Sequence, residues 1–425
     1  MTKRTPALAL ASALVMTSLA AANGLNLNGL GTRAQAMGGA YVSLADDFSA
    51  VFWNPAGAAG FRKELFGFCA TDLMPKGAFG YFSELPAAVI DAETKSSHYL
   101  GFLGAYYRPI GPKVVVGLGL GTPSAQGVRW DGADFAFHTG GTAFDLSSQV
   151  RVFSVTPLVA VRLNDWLSVG ATLDVDLATL NLKMPGGSAD LGEGPVPLGQ
   201  YEEQMTGWGF GATVGVMARP NDRLSVGLTV RTPSTVAFKG SARLSYLSLY
   251  GLPDSSDLTR SIAWPLWIAG GVSFRPVERL LLSADVQWTQ WSKLDRITTG
   301  YLEAMWAPLM ERSGADVRVL DWKNATQLRF GAEYALDGTT ALRAGFYHDP
   351  APGPDSTLNV LLPTYAFDAF SVGVGKTIGD LRLDFGLEYL AGHTRRQYSG
   401  SPGFDGPPTY GMNVLVPSVS VQYKF

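Results

Sequence analysis

Two arginines, Arg329 and Arg343, are the residues of this chain best suited to holding an anion. Both lie where polar and apolar side chains alternate: Leu328, Phe330, Ala332 and Tyr334 on one face, Arg329, Gly331 and Glu333 on the other. A guanidinium fork on such a polar face can grip a carboxylate through two parallel hydrogen bonds. Glu333, Asp384 and Glu388 carry the opposite charge on neighbouring segments, so pairing with them is the competing use of both cations. Reaction chemistry finds little support. His98, His138, His348 and His393 are scattered, with no HExxH spacing that would place two on one metal. The runs Gly117-Leu-Gly119-Leu-Gly121 and Gly207-Trp-Gly209-Phe-Gly211 miss the spacing of a phosphate loop, and there is no GxSxG elbow. The lone Cys69 has no partner for an internal disulfide. No catalytic residue, metal or cofactor is assigned, and an enzyme is not expected.

The elements that present these side chains read as strands. Period-two alternation places fourteen segments, at 63–74, 97–108, 113–122, 149–163, 166–182, 206–219, 223–240, 262–275, 279–296, 325–336, 339–349, 367–378, 380–394 and 411–425. Tight turns at Asn164-Asp165, Pro220-Asn221-Asp222, Asp337-Gly338 and Gly379-Asp380 alternate with longer loops, the asymmetry of an outer-membrane barrel whose short side is periplasmic. Leu282, Ala284, Val286 and Trp288 should then meet lipid while Ser283, Asp285 and Gln287 face the lumen, and likewise Leu173, Val175 and Leu177 against Asp174 and Asp176. Trp166, Trp208, Trp264, Trp288 and Trp291, near strand ends, suit the membrane interface. Charged residues make up only 16% of the chain and glycine is abundant, while no apolar run after the N-terminus is long enough for a membrane helix. The expected fold is all-β: a 14-stranded antiparallel outer-membrane β-barrel, closed because backbone polar groups in hydrocarbon need internal partners. A net charge of -3 gives nucleic acid no basic surface to bind.

Both ends of the chain carry signals. Lys3 and Arg4, an apolar run from Ala7 to Leu19, and Ala20-Ala21-Ala22 have the layout of a signal peptide over residues 1–22, cleaved after Ala22 or Ala20. Residues 23–62, too rich in Gly and Ala for an ordinary core, read as a small helical hatch plugging the lumen of a barrel spanning 63–425. Within it Asp46 is expected to cap a short helix through Phe52, and Asn54 before Pro55 to start a second. The last strand alternates to Tyr423 and Phe425, an aromatic terminus that the barrel assembly machinery would read.

In Gly29, Gly31, Met37-Gly38-Gly39-Ala40, Asp46-Asp47 and Asn54-Pro55-Ala56 the hatch resembles that of the FadL/TodX family of outer-membrane transporters for long-chain fatty acids and other hydrophobic compounds. Gly207-Trp208-Gly209-Phe210-Gly211, Trp288-Thr289-Gln290-Trp291-Ser292 and Leu342-Arg343-Ala344-Gly345-Phe346 extend the resemblance along the chain. It implies passive uptake: capture in outer loops, transfer to a lumen pocket, hatch rearrangement, and lateral release near a kinked third strand. A water-filled pore would serve such a cargo badly, since about 15 methylenes lose roughly 12 kcal/mol on entering water. Capture would fall to Leu247 and Leu249 or to Trp306 on a short helix around 301–311, and the pocket to Leu25, Phe48 and Phe52. An acid headgroup would go to Arg329 or Arg343, and Asn54, Pro55 and Ala56 would form the gate. The implied partners are outer-membrane lipid, lipopolysaccharide and a hydrophobic small molecule, with the chain acting as a monomer. Fatty acid and aromatic hydrocarbon are both open as substrates. The rival reading is a non-transport barrel, an enzyme or adhesin, for which a plug has no use.

Overall fold

Alternation of lipid-facing and lumen-facing side chains, interrupted at intervals by asparagine, aspartate and glycine, folds this sequence into a wall of antiparallel strands. The structure is a computed structural model and describes residues 24–191, 194–362, 364–397 and 406–425; the expected signal peptide lies outside the described residues. The strands run Leu65–Tyr81, Tyr99–Ile110, Val114–Trp130, Leu146–Arg162, Leu167–Pro185 and Gln200–Asn221. The seventh joins Leu224–Arg231 to Ser234–Leu244, the eighth Ser255–Trp264 to Trp267–Val277, and the ninth Leu280–Thr289 to Arg296–Tyr301. The last five are Ala325–Ala335, Thr340–Asp349, Phe367–Ile378, Leu381–Gly392 and Thr409–Lys424. Each pairs with its neighbours, and the first closes on the last from Leu65 opposite Lys424 to Gly80 opposite Thr409. The result is a closed fourteen-stranded antiparallel barrel. No helix among the described residues is long and apolar enough to cross a membrane, so the strands are the crossing elements.

Three of the short turns share one device. The Asn164 side chain accepts from the amides of Trp166 and Leu167, Asn221 from Arg223 and Leu224, and Asp337 from Thr339 and Thr340. A side chain that satisfies the turn's own amides lets the chain reverse without help from the rest of the protein.

Several strands are longer or more broken than the alternation suggests. The first runs on past 74 to Tyr81 and the third past 122 to Trp130, continuing the wall at the loop end of the barrel. Pro233 and Pro265, which have no amide to give the ladder, interrupt the seventh and eighth strands, and a short helix at Trp291–Lys293 interrupts the ninth. These breaks turn two tryptophans inward. Trp264 points into the lumen and donates to Ser124 Oγ at 3.2 Å, and Trp291 is fully buried under the outer loops, so neither lies at the membrane interface. Trp166 and Trp208 do face outward.

Residues 24–61 fill the lower lumen. They form a helix at Thr32–Ala36, another at Ala50–Trp53 and a 3-10 helix at Pro55–Gly60. Asp46 does not cap the second of these. It is drawn to Arg33, and the neighbouring Asp47 accepts instead from the Ser49 amide at 2.9 Å. The lower lumen can hold this segment because the wall is glycine where the plug touches it. A Cβ at Gly170 or Gly215 would collide with Pro55 or Asn54, and one at Gly345 with the backbone at Gly38. Of the glycines in the runs that miss the phosphate-loop spacing, Gly119 belongs to this pattern and seats Val51, while Gly117, Gly121, Gly207, Gly209 and Gly211 abut neighbouring wall residues.

Candidate binding site

The plug is fixed to the wall by charge and by amide bonds. Arg33 is the one charged residue between Asn23 and Ala45. It donates to both oxygens of Glu333 at 2.7 and 2.8 Å and also pairs with Asp46. Glu333 accepts from Arg343 at 2.7 Å, and the Arg343 guanidinium lies 2.9 Å from Asp384, a charge contact outside good hydrogen-bond alignment. Asp285 Oδ2 accepts from the amides of Tyr41 and Val42 at 2.8 and 2.9 Å. Asn54 bridges three points: its Nδ2 donates to the carbonyls of Val42 and Val216, and its Oδ1 accepts from the Ala56 amide at 3.1 Å. Pro55 occupies the first position of the helix that follows, where its missing amide costs nothing.

The two arginines expected to greet a substrate are committed elsewhere. Arg343 belongs to the Glu333 and Asp384 network just described. Arg329 donates to Gln327 Oε1 at 3.0 and 2.7 Å and to the Gly38 carbonyl at 3.1 Å, and lies 4.2 Å from the centre of the Tyr347 ring. Its partners are an amide and the plug backbone, where Glu333, Asp384 and Glu388 had been expected; Glu388 accepts from the Tyr347 hydroxyl at 2.6 Å.

Above the plug the lumen is apolar and partly empty. One cavity, about 50 Å³, has Asn26, Leu27, Asn28 and Gly29 on its plug side and Tyr99, Gln126, Leu390, Met412, Val414 and Val416 on its wall. A second, about 80 Å³, lies between Leu30, Val51 and Phe52 of the plug and Leu103, Pro123, Trp264 and Trp267 of the wall. Asn26 borders both. Arg231 edges the second cavity with its guanidinium 4.8 Å from the Phe52 ring centre and 4.9 Å from that of Trp267.

Besides the breaks at Pro233 and Pro265, the wall beside these cavities is defective between the second and third strands. The second and third strands pair from Ile110 opposite Val114 only up to Leu103 opposite Gly121. Beyond that the third strand shifts register against the fourth between Gly121 and Ser124. Pro123 cannot donate, and its carbonyl accepts from the plug's Leu27 amide at 3.0 Å. Ser124 Oγ donates to the Leu25 carbonyl at 2.6 Å, so the plug's first residues patch the break. Tyr99 stands at its edge, lining both the first cavity and a groove bordered by His98, Arg129, Gln149 and Lys183.

Of the other residues singled out from sequence, Phe52 lines the second cavity, whereas Leu25 and Phe48 line neither. Leu25 packs in the upper core, and Phe48 packs on Gly67 while its carbonyl accepts from Tyr107 at 2.7 Å. In the outer loops Leu249 is 74% exposed, but Leu247 and Trp306 are fully buried, the latter in a helix at Trp306–Ser313 that begins later than expected. Leu249, Leu302 and Met305 are exposed in these loops, and Phe82, Leu85 and Phe137 are exposed in others. The terminal Phe425 is exposed and stacks edge-on with Tyr423 at 5.0 Å. Of the four histidines, distant in sequence, His348 and His393 meet at the outer rim with one Asp368 oxygen each, both at 2.8 Å.

A family model described as outer membrane protein transport protein (OMPP1/FadL/TodX) matches residues 13–425. This chain belongs to that family. Outer membrane protein P1 of Haemophilus influenzae is 25% identical over 201 residues, which are 45% of this chain and 39% of that protein. Two solved structures share the fold: a Pseudomonas aeruginosa FadL homologue at TM-score 0.74 and 18% identity, covering 95% of this chain and all of the other, and the toluene transporter TodX of P. putida at 0.73 and 17%, covering 94% and 99%. The protein is thus an outer-membrane transport protein for hydrophobic compounds and not an enzyme.

Proposed function

We propose that this FadL/TodX-family protein carries long-chain fatty acids inward by capture on the outer loops, transfer to the cavity above the plug, rearrangement of the plug, and lateral release at the break beside the third strand. The observation that carries this reading is that neighbouring cavities are parted by single residues of a lightly held segment. Asn26 borders the first and second cavities and Tyr99 the first cavity and the outer groove, while Leu25 to Leu27 are held to the wall by the few hydrogen bonds at Pro123 and Ser124. Shifting that short segment would join apolar space to the wall defect without unfolding the sheet. An aromatic hydrocarbon could follow the same path, and TodX is a toluene transporter.

The test is uptake by a deletion strain complemented with the gene, using radiolabelled oleate and toluene. Oleate uptake restored well above the empty-vector level supports the reading, and uptake of toluene alone replaces it. Joining Leu27→Cys to Pro123→Cys should block uptake until the disulfide is reduced; unaltered uptake by the oxidised protein would remove the lateral step. The native Cys69 is buried and should not interfere.

A further inference from the structure

Five arginines are buried among the described residues: Arg33, Arg260, Arg318, Arg329 and Arg343. Four have partners, Arg260 through a bidentate bond to Glu203 at 2.5 and 2.8 Å and the others as described above. Arg318 has none. It is 5% exposed, and neither its Nε nor its Nη1 finds a hydrogen-bond partner.

Arg318 sits in the loop between the ninth and tenth strands, on the short segment Val317–Val319 that pairs with Arg296–Tyr301 and places Arg318 opposite Ile297. Its ionisable neighbour is Tyr410, and burial pushes the guanidinium down to about 10, which leaves it charged at neutral pH. Tyr410 in turn neighbours Tyr365, whose buried hydroxyl also lacks a partner. The Tyr410 hydroxyl donates to Gln397 at 3.0 Å, and its own oxygen remains able to accept. A buried cation without an anion is costly, and a protein retains one where something else supplies the charge.

The surroundings indicate what that something is. Tyr410, Met412, Val414 and Val416 share the inward face of the last strand, and the last three line the cavity above the plug. From Tyr410 to Val416 the strand rises about 20 Å. The buried Arg318 thus neighbours the outer residue, Tyr410, of an apolar stripe on the length scale of a long alkyl chain, whose inner residues Met412, Val414 and Val416 line the cavity.

Resting on the transport reading above, we propose that Arg318, with the Tyr365 hydroxyl, is the anchor for the carboxylate of a long-chain acid whose tail lies along Met412, Val414 and Val416 into the cavity. This assigns the headgroup to a residue of the outer loops and leaves Arg329 and Arg343 to hold the plug. It also makes the protein selective for an acid over a neutral molecule of the same shape.

The test measures equilibrium binding of oleate and oleyl alcohol, which share one tail, to the full-length protein in non-ionic detergent. Oleate should bind about tenfold or more tighter than the alcohol, as a desolvated charge-assisted pair allows. Arg318→Gln should bring oleate down to the alcohol's affinity without changing the alcohol, and Arg318→Lys should keep part of the preference. A full preference in Arg318→Gln, or none in the wild type, overturns the assignment while leaving transport intact. Should Arg318→Gln fail to give a heat-modifiable barrel, Tyr365→Phe decides. A several-fold loss for oleate alone supports the anchor, and unchanged oleate binding overturns it. Binding of neither probe, together with no uptake of oleate or toluene, would remove the transport reading and the anchor with it.

Discussion

The plug bed and the roof of the lumen use the same residue type in opposite ways. In the bed, Arg33, Arg329 and Arg343 are bound to Glu333, Gln327, Asp384 and backbone carbonyls, so each cation is neutralised or capped within the protein. In the roof, Arg260 is satisfied by Glu203 but Arg318 is buried with no partner among the described residues. The difference teaches where to look for ligand contacts. A buried charge with its full set of bonds is architecture, because removing one partner strands the other, whereas an incomplete one leaves a vacancy that a visitor can fill.

Breaking the bed should have the largest effect. Glu333→Gln leaves Arg33 and Arg343 without their shared carboxylate, a loss on the order of 3–5 kcal/mol for a buried pair. We expect the plug to become protease-sensitive and the heat-modifiability midpoint to fall; an unchanged midpoint with a protected plug would show that the network is dispensable. Next in size is Asp285→Ala, which strands the amides of Tyr41 and Val42 at about 1–3 kcal/mol each. Faster hydrogen exchange at those two amides with an intact barrel is the expected signature.

Asn54→Ala should cost less in stability, about 0.5–2 kcal/mol for a lost cap, though the bonds to Val42 and Val216 push it toward the upper end. Because Asn54 sets where the plug turns against Gly215, uptake should change clearly while barrel yield stays normal. Unchanged uptake would reduce the motif to ordinary turn chemistry. Smallest of all should be the effect of Arg318→Gln on stability: within about 0.5 kcal/mol, or a gain, since an unpaired buried charge is removed. A destabilisation as large as that of Glu333→Gln would erase the contrast between the two regions.

Much of this contrast was hidden from the sequence, and the reasons are physical. Facing was legible: Asp285 and Gln287 turn inward and Val286 outward because strand alternation is fixed by the pleat. The motif Asn54-Pro55 was legible because capping is local. What a lumen-facing arginine pairs with is not local. Arg329 and Glu333 share a face, yet Arg329 was taken by Gln327, two residues before it, and by a plug carbonyl nearly three hundred residues away in the chain. Arg33 could have been suspected, since a lone charge in a buried Gly-rich segment needs a partner. Arg318 gave a weaker signal. It lies in a loop whose alternation lasts only three residues, and its significance is an absence of partners that appears only when the whole roof is assembled. Leu247 and Trp306 misled for the reverse reason, since large apolar loop residues can roof a core as readily as form a capture surface.

The seam between the first and last strands has a consequence for the order of events during biogenesis. Leu65 meets Lys424, so the final hydrogen-bonded ladder joins the two extremes of the sheet and cannot form until the whole chain is available. The plug precedes the first strand and is ringed by strands on all sides. Once the seam is zipped, a folded segment of that width has no lateral route in. It enters either while the sheet is still an open ribbon or along the axis from the lower mouth, and on both routes the glycine-floored inner surface is the mould against which the plug sets.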